Sequence, residues 1–189
     1  DNSQLSTFQD CPRKYYNRHK LCLKKQTEDI RDIDMSWGKA HHKALELYYK
    51  GKTREECYNA FNKSYIPLDG DKVKTNAHGI VLLTAYFNYY EGNTNELGDK
   101  NMTTLGVEIK DSFKISDDLE WVVKIDRVVK NNAGIWVMDH KVTGKSLYTF
   151  FNKFTPNQQV SGYVDYVIRK YGQCSGFIPN VLYYGHRER

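Results

Sequence analysis

Residues 135–146, IWVMDHKVTGKS, begin as a β-strand and then break the strand's own pattern. Side chains two apart share a face, so Ile135 and Val137, which belong against a core, are continued by Asp139 and Lys141. A carboxylate taken out of water without a partner is costly. Lys141 can be that partner, and a structural ion pair at a strand end is the plainer of two readings. The other starts from the neighbouring segment KIDRVV (124–129), where Asp126 stands on the face opposite Ile125 and Arg127 and a meander can set it beside Asp139. Two carboxylates held together repel unless a proton or a cation sits between them. Oxygen ligands with no cysteine nearby suit Mg²⁺ or Mn²⁺. A lysine beside a cation so held is an arrangement for attack on a phosphodiester.

The apolar period changes near residue 100. Beyond it, TLGVEIKDSFKI (104–115) alternates Val107, Ile109, Phe113 and Ile115 on one side; after the turn SDDLE come WVVKIDRVV (121–129), the turn KNNAG and GIWVMDHK (134–141). Short turns between successive strands imply an antiparallel meander. Thr155, Pro156 and Gln158 then mark a helix start, with proline at the first helical position and glutamine at the capping-box position. Val160, Val164, Val167, Ile168 and Tyr171 share one face of that helix. FIPNVLYY (177–184) closes as a further strand.

Before residue 100 the spacing is helical. Leu5, Phe8 and the pair Tyr15/Tyr16 are interrupted by Pro12, which predicts two short helices or one kinked one. SWGKAHHKALELYYKG (36–51) has Ser36 as a candidate N-cap and Gly51 just past its end. Thr53 and Glu56 have capping-box spacing, and NAHGIVLLTAYFNYY (76–90) is an apolar helix of about four turns. The pairs Tyr15/Tyr16, Tyr48/Tyr49 and Tyr89/Tyr90 are read as packing rather than as base-stacking platforms.

A chain of 189 residues suits one domain, or a domain with a helical appendage. It shows no run approaching the roughly eighteen apolar residues of a membrane span, and no export leader, which reads as a soluble protein. The net charge of +5 suits a polyanionic partner. Cys11, Cys22, Cys57 and Cys174 are scattered without a C-x-x-C pair, which argues against a zinc ribbon or a disulfide framework and fits a reducing, cytoplasmic setting.

KIDRVV followed by GIWVMDHKVTGK resembles the D-(x)n-(D/E)-x-K core of the PD-(D/E)XK nucleases, in particular their RecB-like branch. That branch holds the nuclease domains of recombination helicases, CRISPR-associated spacer-acquisition nucleases and phage exonucleases. LSTFQDCPRKYY (5–16), GKAHHKALE with Gly38 four before His42, and QVSGY with Gln159 four before Tyr163 match in the same order. The resemblance implies an α/β, restriction-endonuclease-like core with a mixed sheet in residues 101–189, and a helical N-terminal part in residues 1–100 that contributes His42. It implies metal ligation by His42, Asp126, Asp139 and the main-chain carbonyl of His140, with Lys141 as the catalytic lysine. Gln159 and Tyr163 would contact substrate or brace that lysine, lying beside the valine stripe of their helix. The implied activity is metal-dependent hydrolysis of DNA at ends or single strands in a bacterial or phage setting.

Some positions depart from the pattern or stay open. Val123 and Lys124 stand where a glycine often precedes Ile-Asp-Arg. His41 shares a helix face with Trp37, Ala44 and Tyr48 and reads as packed, so the motif spacing selects His42. Glu108 on the first strand reads as part of a solvated strand face, with a further acidic neighbour of the site as the alternative. Cys11 occupies the place of an iron-sulfur ligand in some relatives; only Cys174 is late in the chain, so no cluster is expected and Cys11 is expected to be buried. Lys141, Lys145, Lys153 and the ending GHRER can line a phosphate path or form a solvated basic surface. A nuclease subunit dependent on a helicase or recombination partner and an inactive nucleic-acid-binding module are the alternatives. No G-x-x-x-x-G-K-[ST] pattern occurs, so any motor would be another chain.

Overall fold

The computed structural model describes residues 2–23, 32–93, 98–152 and 157–185. Pro12 divides the first segment into helices α1 (Asn2–Asp10) and α2 (Pro12–Tyr15), and α2 runs on into a π-helical turn. Cys11 is exposed, not buried as expected: it caps α2 through its thiol, which accepts from Lys14 N–H at 3.5 Å. Helix α3 spans Ile33–Tyr49. Its N-cap is Asp32, whose Oδ1 accepts from Met35 N–H, and not Ser36, whose hydroxyl instead bonds back to the Ile33 carbonyl. Gly51 follows α3 in the left-handed conformation that glycine adopts without cost. Helix α4 (Arg54–Ser64) opens with the expected Thr53–Glu56 capping box, and α5 spans Asn76–Gly92.

Strands β1 (Thr103–Ser116), β2 (Leu119–Asn131) and β3 (Gly134–Thr143) form the antiparallel meander. Helices α6 (Leu147–Phe151) and α7 (Gln158–Tyr171) then cross over to β4 (Gly176–Tyr183), which pairs with β3 in parallel. The sheet order is β1-β2-β3-β4. This mixed sheet with flanking helices is the restriction-endonuclease-like architecture. Helix α7 is capped by Asn157, whose Oδ1 accepts from Gln159 N–H and Val160 N–H; Thr155, Pro156 and Lys153 lie outside the described residues, as do residues 186–189 of the basic ending.

Two apolar clusters cover opposite faces of the sheet. On one, Trp37, Ala44 and Leu45 of α3, Phe61 of α4 and Leu83 and Phe87 of α5 enclose Leu182 of β4. On the other, Tyr163, Tyr166 and Val167 of α7 pack on Val123, Ile125, Val128, Ile135 and Val137. The buried stripe of α7 is therefore centred on its tyrosines, and Ile168, expected in it, is 44% exposed. Tyr163 lies within the packed face, not beside it. Val167 is fully buried with the two tyrosines, while Val160 and Val164 are half-buried; the larger rings remove more apolar surface from water. Ile115, expected inside, is exposed near the tip of β1.

Alternation in β2 also fails at one place. Ile125 joins the α7 cluster, whereas Arg127 reaches the α3 side and lies over the Tyr49 ring at 3.5 Å. Strict period two would have kept both on one face. Opposite them, between Val107 (paired with Arg127) and Ile109 (paired with Ile125), Glu108 has φ +49, which interrupts the pleat.

Gly79 in α5 leaves room for the tip of the Phe61 ring: an added Cβ would come within 2.1 Å of its Cζ. Gly79→Ala is expected to lower stability by about 1–3 kcal/mol through overpacking, against a helix-propensity gain of about 1 kcal/mol. A rise in Tm on thermal denaturation would contradict this packing.

Candidate active site

Where α3, the middle of β2, the second half of β3 and the start of α7 meet, a cleft of about 420 Å³ opens. Helix α3 contributes one stripe at helical spacing, including Gly38, Lys39, His42 and Glu46. The strands contribute Glu108, Lys124, Asp126, Asp139 and Lys141, and α7 contributes Gln159.

Asp126 is 6% exposed and Asp139 3%. Each is met by a basic side chain. His42 Nδ1 lies 3.3 Å from Asp126 Oδ1, and Lys141 Nζ lies 2.6 Å from Asp139 Oδ2. The second Asp126 oxygen accepts from the backbone N–H of His140 at 2.8 Å. Burial opposes ionisation of Asp126, but the bond and charge of His42 and the His140 N–H outweigh it and bring its pKa down to about 2. Burial would likewise lower His42, yet the Asp126 contact raises it above the ordinary histidine value. Asp139 is pushed the other way, upward, by burial that Lys141 only partly offsets, with Asp126 adding to the rise. Neighbouring carboxylates with pKa values driven apart mark a functional site.

His41 and His140 are different in kind. His41 is fully buried against Trp37 and Phe61, with Nδ1 2.9 Å from the Trp37 carbonyl, and burial brings its pKa down to about 4. The ring of His140 points away from the cleft and stacks on Tyr49, with its pKa held near 3 by burial. Its main chain faces the site: the N–H and C=O of a strand residue point to the same side, and this N–H meets Asp126.

The sequence reading underweighted Glu108. Its side chain is 13% exposed rather than on a solvated face. Donor atoms of His42, Glu108 and Asp126 all lie within 4.8 Å of one another. Octahedral Mg²⁺ at about 2.1 Å from each ligand spans about 4.2 Å between opposite ligands, so one imidazole nitrogen and two carboxylate oxygens fit a divalent cation with slight closure. Asp139 is not among these three, because Lys141 holds its carboxylate. Glu108 stands opposite Asp126 in the β1–β2 register, between the pairs Val107–Arg127 and Ile109–Ile125. Lys39, Lys43 and Lys124 also line the cleft.

Gln159 Nε2 donates to the Tyr163 hydroxyl at 2.7 Å, and that hydroxyl donates to the Lys124 carbonyl. Burial raises the Tyr163 pKa to about 12, so the phenol stays a donor at neutral pH.

A histidine whose pKa is raised on folding stabilises the fold fully below its unfolded value of about 6.5, and that contribution is lost as pH rises through the folded value. In EDTA, the Tm advantage of the wild type over His42→Gln is therefore expected to be present at pH 5.5 and to shrink by pH 8.5. A gap that is constant or grows with pH would contradict the His42–Asp126 pair.

No curated protein matches the chain. The family model of the PD-(D/E)XK nuclease superfamily, whose members use divalent metal ions, matches residues 2–184, from α1 to just past β4. No helix among the described residues is long and apolar enough to cross a membrane. With the match running through all four strands and the cleft between them, the chain belongs to the PD-(D/E)XK nuclease superfamily.

Proposed function

We propose that this chain is a divalent-metal-dependent deoxyribonuclease of the RecB-like branch, acting on DNA ends or single strands, in which a helical part (residues 1–100) lends His42 to a nuclease core (residues 101–189). The observation that carries this reading is the convergence of His42, Glu108, Asp126, Asp139 and Lys141 on one cleft.

In this reading His42, Asp126, Asp139 and the His140 carbonyl hold Mg²⁺ or Mn²⁺, and Glu108 is a further ligand. The cation supplies Lewis acidity towards a phosphoryl oxygen and makes water a stronger acid. Lys141, released from Asp139, orients the attacking water or meets the charge that develops on phosphorus. Tyr163 and Gln159 fix the Lys124 main chain and thereby the β2 segment that carries Asp126. Walls from both α3 and α7 around about 420 Å³ suit a single strand better than an uninterrupted duplex.

The test is degradation of end-labelled linear single- and double-stranded DNA, with covalently closed circles as control, in Mn²⁺, Mg²⁺ and EDTA. Wild-type protein is expected to consume linear DNA only with metal and to spare circles; Asp139→Ala and Lys141→Ala are expected to lose at least about 10²-fold in rate. Degradation of circles would overturn the end preference. Activity in EDTA, or full activity of both variants, would overturn the reading as a whole.

A further inference from the structure

Lys124 has no part in the metal set, yet its ammonium sits on a carboxylate that does. Its Nζ lies 3.0 Å from Glu108 Oε2, while its side chain is 57% exposed and Glu108 is 13% exposed. The ammonium therefore stands at the mouth of the cleft and the carboxylate inside it. Both ends of this pair are fixed. The Lys124 carbonyl accepts from the Tyr163 hydroxyl, which Gln159 holds in turn. Glu108 is one of two non-glycine residues with positive φ among those described, and the only one in a strand. Such backbone persists where the surroundings over-determine it and clusters at functional sites.

The arrangement repeats that of Lys141 on Asp139, at 2.6 Å. In both pairs a protein monocation neutralises a carboxylate that a divalent cation would claim. A pair exposed on its lysine side contributes little to stability, so stability does not account for it. Lysine is suited to exchange: it is a compact point charge on a flexible stem, with three donors and no geometric demand. Lys39, also on the cleft, adds to a positive rim around the acidic floor.

We infer that Lys124 is a second phosphate-directed lysine of this site, latched on Glu108 until a divalent cation takes that carboxylate and frees the ammonium for the nucleic-acid backbone. This rests on the nuclease reading above. It assigns Lys124 to substrate positioning, with Glu108 as the group that couples metal to substrate.

The test uses Lys124→Met, Lys124→Arg and Asp126→Asn, with two readouts other than cleavage. Mn²⁺ affinity without DNA is measured by electron paramagnetic resonance. Binding of a labelled single-stranded oligonucleotide is measured by anisotropy in Ca²⁺, which takes the same oxygen ligands, over a range of salt. Lys124→Met is expected to tighten Mn²⁺ binding a few-fold, because a competing cation is gone. It is expected to weaken oligonucleotide binding about tenfold and to flatten the slope of log affinity against log salt by about 0.7. Lys124→Arg restores the oligonucleotide affinity and slope. Weaker Mn²⁺ binding by Lys124→Met, or unchanged oligonucleotide affinity and slope, overturns the latch and leaves a structural ion pair. Loss of Mn²⁺ binding by Asp126→Asn shows in either case that the metal site itself stands; wild-type Mn²⁺ affinity in that variant removes the metal site and the latch together.

Discussion

Two carboxylates, Asp126 and Asp139, are buried almost completely on the neighbouring strands β2 and β3, and the rest of the site follows from that constraint. Charges held in a medium of low dielectric must be compensated close by, or they take up protons. His42 and Lys141 provide the compensation here. The consequence is a cleft whose anionic and cationic groups are already matched, so that a divalent cation entering it exchanges with protons and ammoniums rather than filling an empty charge trap. The opposed pKa directions of Asp126 and Asp139 express the same asymmetry. The first has an imidazole and a backbone N–H; the second is left with a lysine that burial partly defeats.

Keeping His42 in place is a packing problem, because it belongs to a helix and its partners to the sheet. Tyr49, seven residues beyond His42 and so about two turns along α3, provides the fastening. Its ring lies between the Arg127 guanidinium at 3.5 Å and the His140 ring, stacked at 5.6 Å. Arg127 in turn is held by Thr104 Oγ1 and Asp99 and is 2% exposed. Both anchor residues adjoin an acidic residue of the site, Arg127 next to Asp126 and His140 next to Asp139. The chain thus places its chemistry on one side of β2 and β3 and the means of aligning it on the other. Removing one member of such a network would leave a buried charge unpaired, which costs more than the pair contributes.

Much of this was legible in the sequence because the signals were periodic. The change from helical to twofold spacing near residue 100 located the meander, and continuation of Ile135 and Val137 by Asp139 and Lys141 located the cleft end of β3. Where the reading failed, local geometry had overridden period. Ile125 and Arg127 take opposite sides of the sheet although they are two apart in β2, and Glu108 opposite them has φ +49; a positive φ at a non-glycine residue has no signature in composition. Helix α7 buries Tyr163 and Tyr166 beside Val167 and leaves Val160 and Val164 half-buried, because area, not hydropathy alone, decides what packs. Cys11 caps a helix instead of filling a core, since Pro12 starts a new helix immediately after it.

On the proposed reading, the paired charges of this cleft are the resting form of a metal site. The most direct measurement is a crystal structure of the protein soaked in Mn²⁺, with anomalous difference maps collected above the manganese edge. A peak is expected within bonding distance of His42, Glu108, Asp126, Asp139 and the His140 carbonyl, with Lys141 withdrawn from Asp139. A map without a peak in the cleft, with His42–Asp126 and Lys141–Asp139 still paired at saturating Mn²⁺, would contradict it.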